Sequence, residues 1–349
     1  MEIREGLTFD DILLVPEYSE VISRSLLDVS VNLGDLQFKH PIIPANMLSI
    51  SGEKMVRTAA ESGGLAILHR FMPLEDQLDI INRFVCATQV GTPDYQRHIG
   101  VSVGVKDSDK NNVEDLYTLG ARIFCIDIAH GNSKLCVEMI QFIKHNYPDI
   151  YLIAGNVATG DGARRLWEAG ADILKIGVGA GSLCTTRIET GNGVPQLTAL
   201  MDVQKVQQEM LARGKAAGRQ RKYPFISDGG IKNAGDIVKA LCFADMVMAG
   251  NIFAGCEETS SSIHVINGLP HKEYVGSSTH KTNHIEGVEA WVPCTGRFGT
   301  ILTKMLEGLR SGMSYQGVNN LQDLKEGPQF VKITSAGLKE SHSHDVIIK

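Results

Sequence analysis

Eight short apolar, β-branched runs recur along the chain: PIIPA from Pro41, LAIL from Leu65, IGVSVG from Ile99, IFCID from Ile123, YLIAG from Tyr151, DILKIG from Asp172, PFIS from Pro224 and DMVMAG from Asp245. Runs this short, without polar alternation, predict strands covered on both faces, as in a parallel sheet. Between them EKMVRTAAES, KLCVEMIQFIKHN, GARRLWEAG and DIVKALCF place apolar residues three or four apart, which is the helical period. The junctions repeat as well, because ESGGLAIL, TLGARIFC, EAGADILK and CFADMVMA each break a helix on a small residue and enter the next strand. This quasi-repeat predicts an α/β chain folded as a (β/α)8 TIM barrel, rather than a doubly wound sheet with fewer strands. A single barrel domain over residues 1–349 is the expected organisation.

If the strands close into a barrel, the loops that follow them share one face, where barrel proteins keep their chemistry. Those loops read NMLS after strand one, HRF after two, IAHGNS after four, NVATG after five, Gly177 to Gln196 after six, DGGIKNAGD after seven and GNIFAG after eight. About 100 residues remain beyond strand eight, more than a closing helix needs, and Tyr274 to Thr295 is polar and poor in core residues. Long polar loops beyond a barrel are often lids, so a C-terminal flap at approximately 274–295 and a tail are predicted.

Composition narrows the function classes. With 349 residues, 43% hydrophobic, the chain can bury a large core, and its net charge of -6 offers a nucleic-acid backbone no clustered basic face. The one basic run, Arg213 to Lys222, reads as a solvated helix end and loop. No stretch reaches the ~18 apolar residues of a membrane span, and MEIREGLTFDD lacks the apolar core of a signal peptide. No nucleic-acid partner, no membrane partner and a cytoplasmic location are therefore expected. Seven scattered cysteines without a CxxC pair fit a reducing compartment and indicate no disulfide framework.

One cysteine stands apart. By type a cysteine is most often a buried small residue, but Cys184 lies where Gly177, Gly179 and Gly181 alternate with Val178 and Ala180, freeing the backbone to approach an ion or phosphate. Ser182, Thr185 and Thr186 add hydroxyls, which makes Cys184 the nucleophile candidate. Asp228-Gly229-Gly230 and Gly250-Asn251 occupy loops seven and eight, where barrel enzymes often hold phosphate. With Ser182 they predict a phosphate site; Asp228 at its edge suits ribose hydroxyls, so the expected ligand is a nucleotide. GVGAG is not a dinucleotide fingerprint, because its third glycine is misplaced for GxGxxG and no helix opens on the glycines. His342 and His344 read as solvated, and no transition metal is expected.

The segments LTFDDILLVP (Leu7 to Pro16), PANM (Pro44 to Met47), DIAHGNS (Asp127 to Ser133), AGNVATG (Ala154 to Gly160), the Cys184 loop, ISDGGI (Ile226 to Ile231), AGCEE (Ala254 to Glu258) and ITSAGLKESHSHDV (Ile333 to Val346) resemble the IMP dehydrogenase and GMP reductase family over nearly the whole chain. The resemblance implies that Cys184 attacks carbon 2 of a purine nucleotide, with Thr186 and Glu286 moving the proton. It implies that Ser182, Asp228, Gly229, Gly230, Gly250 and Asn251 hold the ribose phosphate, and that Tyr274, Gly276, Ser277 and Ser278 line the base. A nicotinamide cofactor, NADPH in a reductase, would lie across Ser102, Asp127, Ala129, His130, Gly131, Asn156 and Gly177. A potassium ion would sit on the carbonyls of Gly179, Gly181 and Cys184, completed by Glu340, Ser341 and His342 of the partner subunit, which implies a homotetramer.

Within the family, PANM, HRF, DIAHGNS and KEYVGSS resemble the bacterial GMP reductase branch. Dehydrogenases usually carry a tandem CBS insert after strand two, whereas only about 30 residues separate Arg70 from strand three here. Their flap carries an Arg-Tyr pair whose arginine activates the hydrolytic water, and YVGSSTHKTNHIEGVEAWVPCTG has none. The resemblance therefore implies reductive deamination of GMP to IMP. An IMP dehydrogenase lacking the CBS domains, making XMP from IMP and NAD, is the alternative that LTFDDILLVP and LKESHSHDV keep open. A purine-nucleotide-binding regulator without turnover is a third reading, which Cys184, Thr186 and Glu286 together oppose. The chain departs from the family at Leu48, where an aspartate often follows PANM, at Arg70, a lysine in some reductases, and at Asn283, an arginine in one branch.

Overall fold

In the computed structural model, which describes residues 3–88, 94–218, 221–276 and 287–343, all eight apolar runs become strands of one parallel sheet. They are β1 (Ile42–Pro44), β2 (Ala66–Leu68), β3 (Ile99–Val103), β4 (Ile123–Asp127), β5 (Tyr151–Val157), β6 (Ile173–Ile176), β7 (Phe225–Asp228) and β8 (Met246–Ala249). Each strand from β2 to β8 pairs with its successor in sequence, and β8 returns to β1 through Val247 opposite Ile42. With β2 beside β1 the sheet forms a nearly closed (β/α)8 TIM barrel. Every residue of β1, β2, β3, β6 and β8 is buried, which is why these strands show no polar alternation.

Among the described residues eight helices surround the sheet: α1 (Glu53–Glu61), α2 (Leu74–Thr88), α3 (Asp107–Thr118), α4 (Lys134–Asn146), α5 (Gly160–Ala169), α6 (Gln196–Ala216), α7 (Ala234–Leu241) and α8 (Phe298–Tyr315). Local capping sets several starts. Ser133, Thr159 and Asn233 accept from the amides of Cys136, Gly162 and Asp236, satisfying donors that a first helical turn leaves unpaired. Arg213 and Lys215 lie in the last turn of α6, as the solvated basic run predicts, with residues 219 and 220 outside the described chain.

Beyond β8 the chain forms a three-stranded antiparallel arm of β9 (Ile263–Ile266), β10 (Leu269–Val275) and β11 (Glu289–Pro293). The expected flap thus begins and ends as strand, with Tyr274 opposite Ala290 and Val275 opposite Glu289. In β11 exposed and half-buried positions alternate, a period of two that the polar composition hid. Phe330–Lys332 then pairs with Ile12–Leu14 and ties the end of the chain to its start. No helix among the described residues is long and apolar enough to cross a membrane, and all seven cysteines are free.

Candidate active site

Loop six leaves β6 at Gly177, where φ is +149° and a Cβ would stand 2.0 Å from the Asp228 carbonyl oxygen, so only glycine fits. Asn156 Nδ2 donates to the Gly177 carbonyl at 2.7 Å and fixes the root of the loop. The loop turns where Cys184 N donates to Gly181 O at 3.0 Å, and a short helix, Thr186–Thr190, follows. Cys184 is exposed and its thiol donates to Thr186 Oγ1 at 3.1 Å, so the nucleophile candidate and its hydroxyl neighbour are already in contact.

Loops seven and eight close on the same place. A Cβ at Gly229 would lie 3.2 Å from Gly181 N, and one at Gly250 would lie 2.5 Å from Tyr274 Oη. Gly230 follows in loop seven, and Asn251 opens the short helix Asn251–Ala254. Tyr274 is buried on β10, and burial first, then the charge of Asp228, pushes its phenol pKa above the ordinary value. Exposed Ser182 lies two residues before Cys184. Gly276 N donates to Val288 O at 3.2 Å and closes the neck of the flap. Ser277, Ser278 and Glu286 lie outside the described residues. The chain resumes against loop six, with Gly287 N donating to Thr185 Oγ1 at 2.7 Å and Val288 N to Leu183 O at 3.2 Å.

The residues expected around a cofactor come from β3, β4, β5 and the loops after them. Ala129 and His130 are exposed after β4, and Gly131 N donates to Asn156 O at 2.7 Å, joining loops four and five. Ser102 is buried within β3, where Asn46 Nδ2 donates to its hydroxyl at 2.9 Å, so it supports this surface from below. Arg70 Nε donates to Asp127 O at 3.0 Å. Glu340, Ser341 and His342 stand exposed at the end of a separate helix, Ser335–Glu340.

Sequence reasoning passed over Lys175. It rises from β6 with Nζ 2.6 Å from Asp228 Oδ2 and 3.1 Å from Asp127 Oδ1, and Asn156 Nδ2 donates to the same Asp228 oxygen at 2.9 Å. Burial opposes the ammonium charge, but Asp228 and then Asp127 outweigh it, and the pKa lies above the ordinary lysine value. A signal was present in DILKIG: a lysine in a strand covered on both faces must find its partners inside the protein.

Residues 6–344 match the IMP dehydrogenase / GMP reductase domain family. An inosine-5'-monophosphate dehydrogenase of Borreliella burgdorferi is 33% identical, over 98% of this chain and 98% of that one. A GMP reductase of Leishmania major is 30% identical, over 98% and 97% of the two chains. Among solved structures, a cysteine-to-alanine variant of GMP reductase from Trypanosoma brucei in complex with guanosine 5'-monophosphate has a TM-score of 0.88 and 28% identity, covering 99% of both chains. The Leishmania alignment runs over 489 positions and the Borreliella one over 405, so the reductase here is the longer relative and the dehydrogenase the shorter. The absence of an insert after strand two therefore does not separate the two activities.

Proposed function

The chain belongs to the IMP dehydrogenase / GMP reductase family, and from that premise we propose that it is a GMP reductase, converting GMP to IMP and ammonia with NADPH as reductant. The neck of the flap carries this reading. β10 and β11 close at Gly276 and Val288, and the connection between them, residues 277–287, holds neither arginine nor tyrosine. Hydrolysis of a covalent purine adduct needs an activated water, for which the dehydrogenases use their Arg-Tyr pair; reduction needs none.

In this reading the Cys184 thiolate adds to carbon 2 of guanine. The bond from carbon 2 to the exocyclic nitrogen breaks as that nitrogen takes a proton by way of Thr186, with Glu286 as the donor, because ammonia leaves far more readily than amide ion. A bound nicotinamide supplies the hydride that replaces the amine and frees the thiolate. Asp228 takes the ribose hydroxyls, while Ser182, Gly229, Gly230, Gly250 and Asn251 take the phosphate. Tyr274, Gly276, Ser277 and Ser278 line the base. Asp127, Ala129, His130, Gly131, Asn156 and Gly177 would hold the nicotinamide cofactor. The donor set also suits a potassium ion: among the described residues the carbonyls of Gly179 and Cys184 accept no hydrogen bond and that of Gly181 accepts one, leaving hard oxygens to a cation. Glu340, Ser341 and His342 of the partner subunit would complete that site in a homotetramer.

Incubation with GMP and NADPH, and separately with IMP and NAD, followed by separation of the nucleotides, tests the direction. IMP is expected from the first mixture and almost no XMP from the second. Sustained XMP formation at a rate rivalling GMP reduction overturns the reading. It would install the second one, an IMP dehydrogenase without CBS domains, which the compact Borreliella relative favours. His280, Lys281 and His284, outside the described residues, would then be the first candidates for its base.

A further inference from the structure

The reading above leaves the buried cation beneath the site without a role. We propose that Lys175 is a positioning residue whose ammonium holds the ribose-side carboxylate of Asp228 and the cofactor-side carboxylate of Asp127 together, so that one buried charge orders both halves of the active site. The inference rests on the nucleotide reading of that site.

Four consecutive barrel strands converge here. Asp127 ends β4, Asn156 lies near the end of β5, Lys175 near the end of β6, and Asp228 ends β7. The Lys175 side chain is 4% exposed, whereas those of Asp127 and Asp228 are 16% and 18% exposed. The cation thus grips each carboxylate from the barrel interior, and Asp228 Oδ1 accepts no hydrogen bond from the described residues. Two carboxylates touching one ammonium lie within about 6 Å of each other, a range at which like charges repel. Lys175 offsets that repulsion and holds the two in place. Among the described residues Cys125 on β4 also faces it, fully buried, and its thiol is pushed towards the neutral form by burial and adds no competing charge. Arg70 engages the main-chain oxygen of Asp127, not its carboxylate. Asn156 bonds both Asp228 Oδ2 and Gly177 O, so the order imposed on Asp228 extends to the root of the Cys184 loop.

A purely structural ion pair predicts something different. Removing one partner of a buried ion pair costs stability, and that loss is read in thermal unfolding rather than in a charge-dependent nucleotide affinity. A positioning role predicts loss of nucleotide affinity that depends on the opposing charge. GMP binding, measured by titration calorimetry without cofactor, is expected to weaken roughly 10–100-fold in Lys175→Met. Adding Asp127→Asn, outside the proposed GMP subsite, removes the repulsion and is expected to recover most of that loss. Wild-type affinity in Lys175→Met, or no recovery in the double variant, overturns the role. If Lys175→Met alone does not fold, the double variant is compared with Asp127→Asn: near-equal GMP affinity upholds the role, and a further tenfold loss overturns it. A wild-type chain that binds neither GMP nor IMP removes the nucleotide reading and this role with it. Wild-type binding with an unaffected Lys175→Met removes the role alone.

Discussion

Gly177 packs at the end of β6 against the Asp228 carbonyl of β7 and roots the Cys184 loop, and one added methyl group there tests whether strand packing sets the catalytic geometry. An alanine Cβ would stand 2.0 Å from Asp228 O and 2.9 Å from Gln196 Oε1, whereas real Cβ atoms essentially never approach within 3.0 Å. The strand end and the loop root must therefore part by about 1 Å, a displacement that in an active site costs on the order of 10²-fold in rate. A side chain held at φ +149° adds about 1–3 kcal/mol of strain, and the overpacking adds about 1–3 kcal/mol more. Against a total stability of about 5–15 kcal/mol the protein should fold with a Tm lowered by several degrees. The assay is kcat/KM for GMP reduction, followed at the nicotinamide absorbance, beside thermal unfolding. Gly268→Ala is the control: its φ is +78° but nothing lies within 4 Å, so only the dihedral strain applies and kcat/KM should not move. Wild-type rate and Tm in Gly177→Ala would refute the close approach. A lowered Tm with unchanged kcat/KM would refute the link from strand end to catalytic loop.

Cys184→Ala should abolish turnover while GMP binding by calorimetry stays within a few-fold, because in the proposed site the ribose contact and all the phosphate contacts but that of Ser182 come from loops seven and eight; residual turnover near wild type would remove the covalent mechanism. Thr186→Ala should lower kcat by ~10²–10⁴ with little change in KM for GMP, as expected for lost proton transfer, and an effect on KM alone would contradict its role. Stability should fall on acidification. Burial lowers His40 and His69 to about 4, and His40 keeps its Nδ1 as acceptor for Ile42 N with Nε2 on Ser62 Oγ. Both are neutral in the folded state, while the unfolded chain takes up protons below its pKa of about 6.5. Their contribution is full above that pH and is lost between about 6.5 and 4, at about 1.4 kcal/mol per pH unit for each. Chemical denaturation across that range measures the slope, and His40→Gln should reduce it; an unchanged slope would show that His40 does not carry it.

The eight strands were legible because a parallel strand covered on both faces is apolar at most of its positions, and the small residues at the junctions mark where each helix stops. The Cys184 loop was legible for the opposite reason, since glycines and hydroxyls are dense there in a way no core strand would tolerate. Ser102 shows the limit of such reading. In sequence it is a polar residue at the top of a strand, and in the fold its hydroxyl is taken by Asn46, 56 positions away. The strand at the end of the flap was not legible because β11 alternates exposed and half-buried positions over only five residues, too few to stand out from polar composition.

By itself, then, the sequence determined what local chemistry dictates: the order of strands and helices, the caps at Ser133, Thr159 and Asn233, and the glycine-bearing loops that share one end of the barrel. Tertiary structure alone decided which side chains touch. The contact of Lys175 with Asp228 spans 53 positions, and Gly287 reaches Thr185 across 102. Burial decides the electrostatics as well, because a lysine in an apolar strand is a liability until the fold brings carboxylates to both its sides, and only the pairing of β4 through β7 in one sheet brings Asp127, Lys175 and Asp228 together.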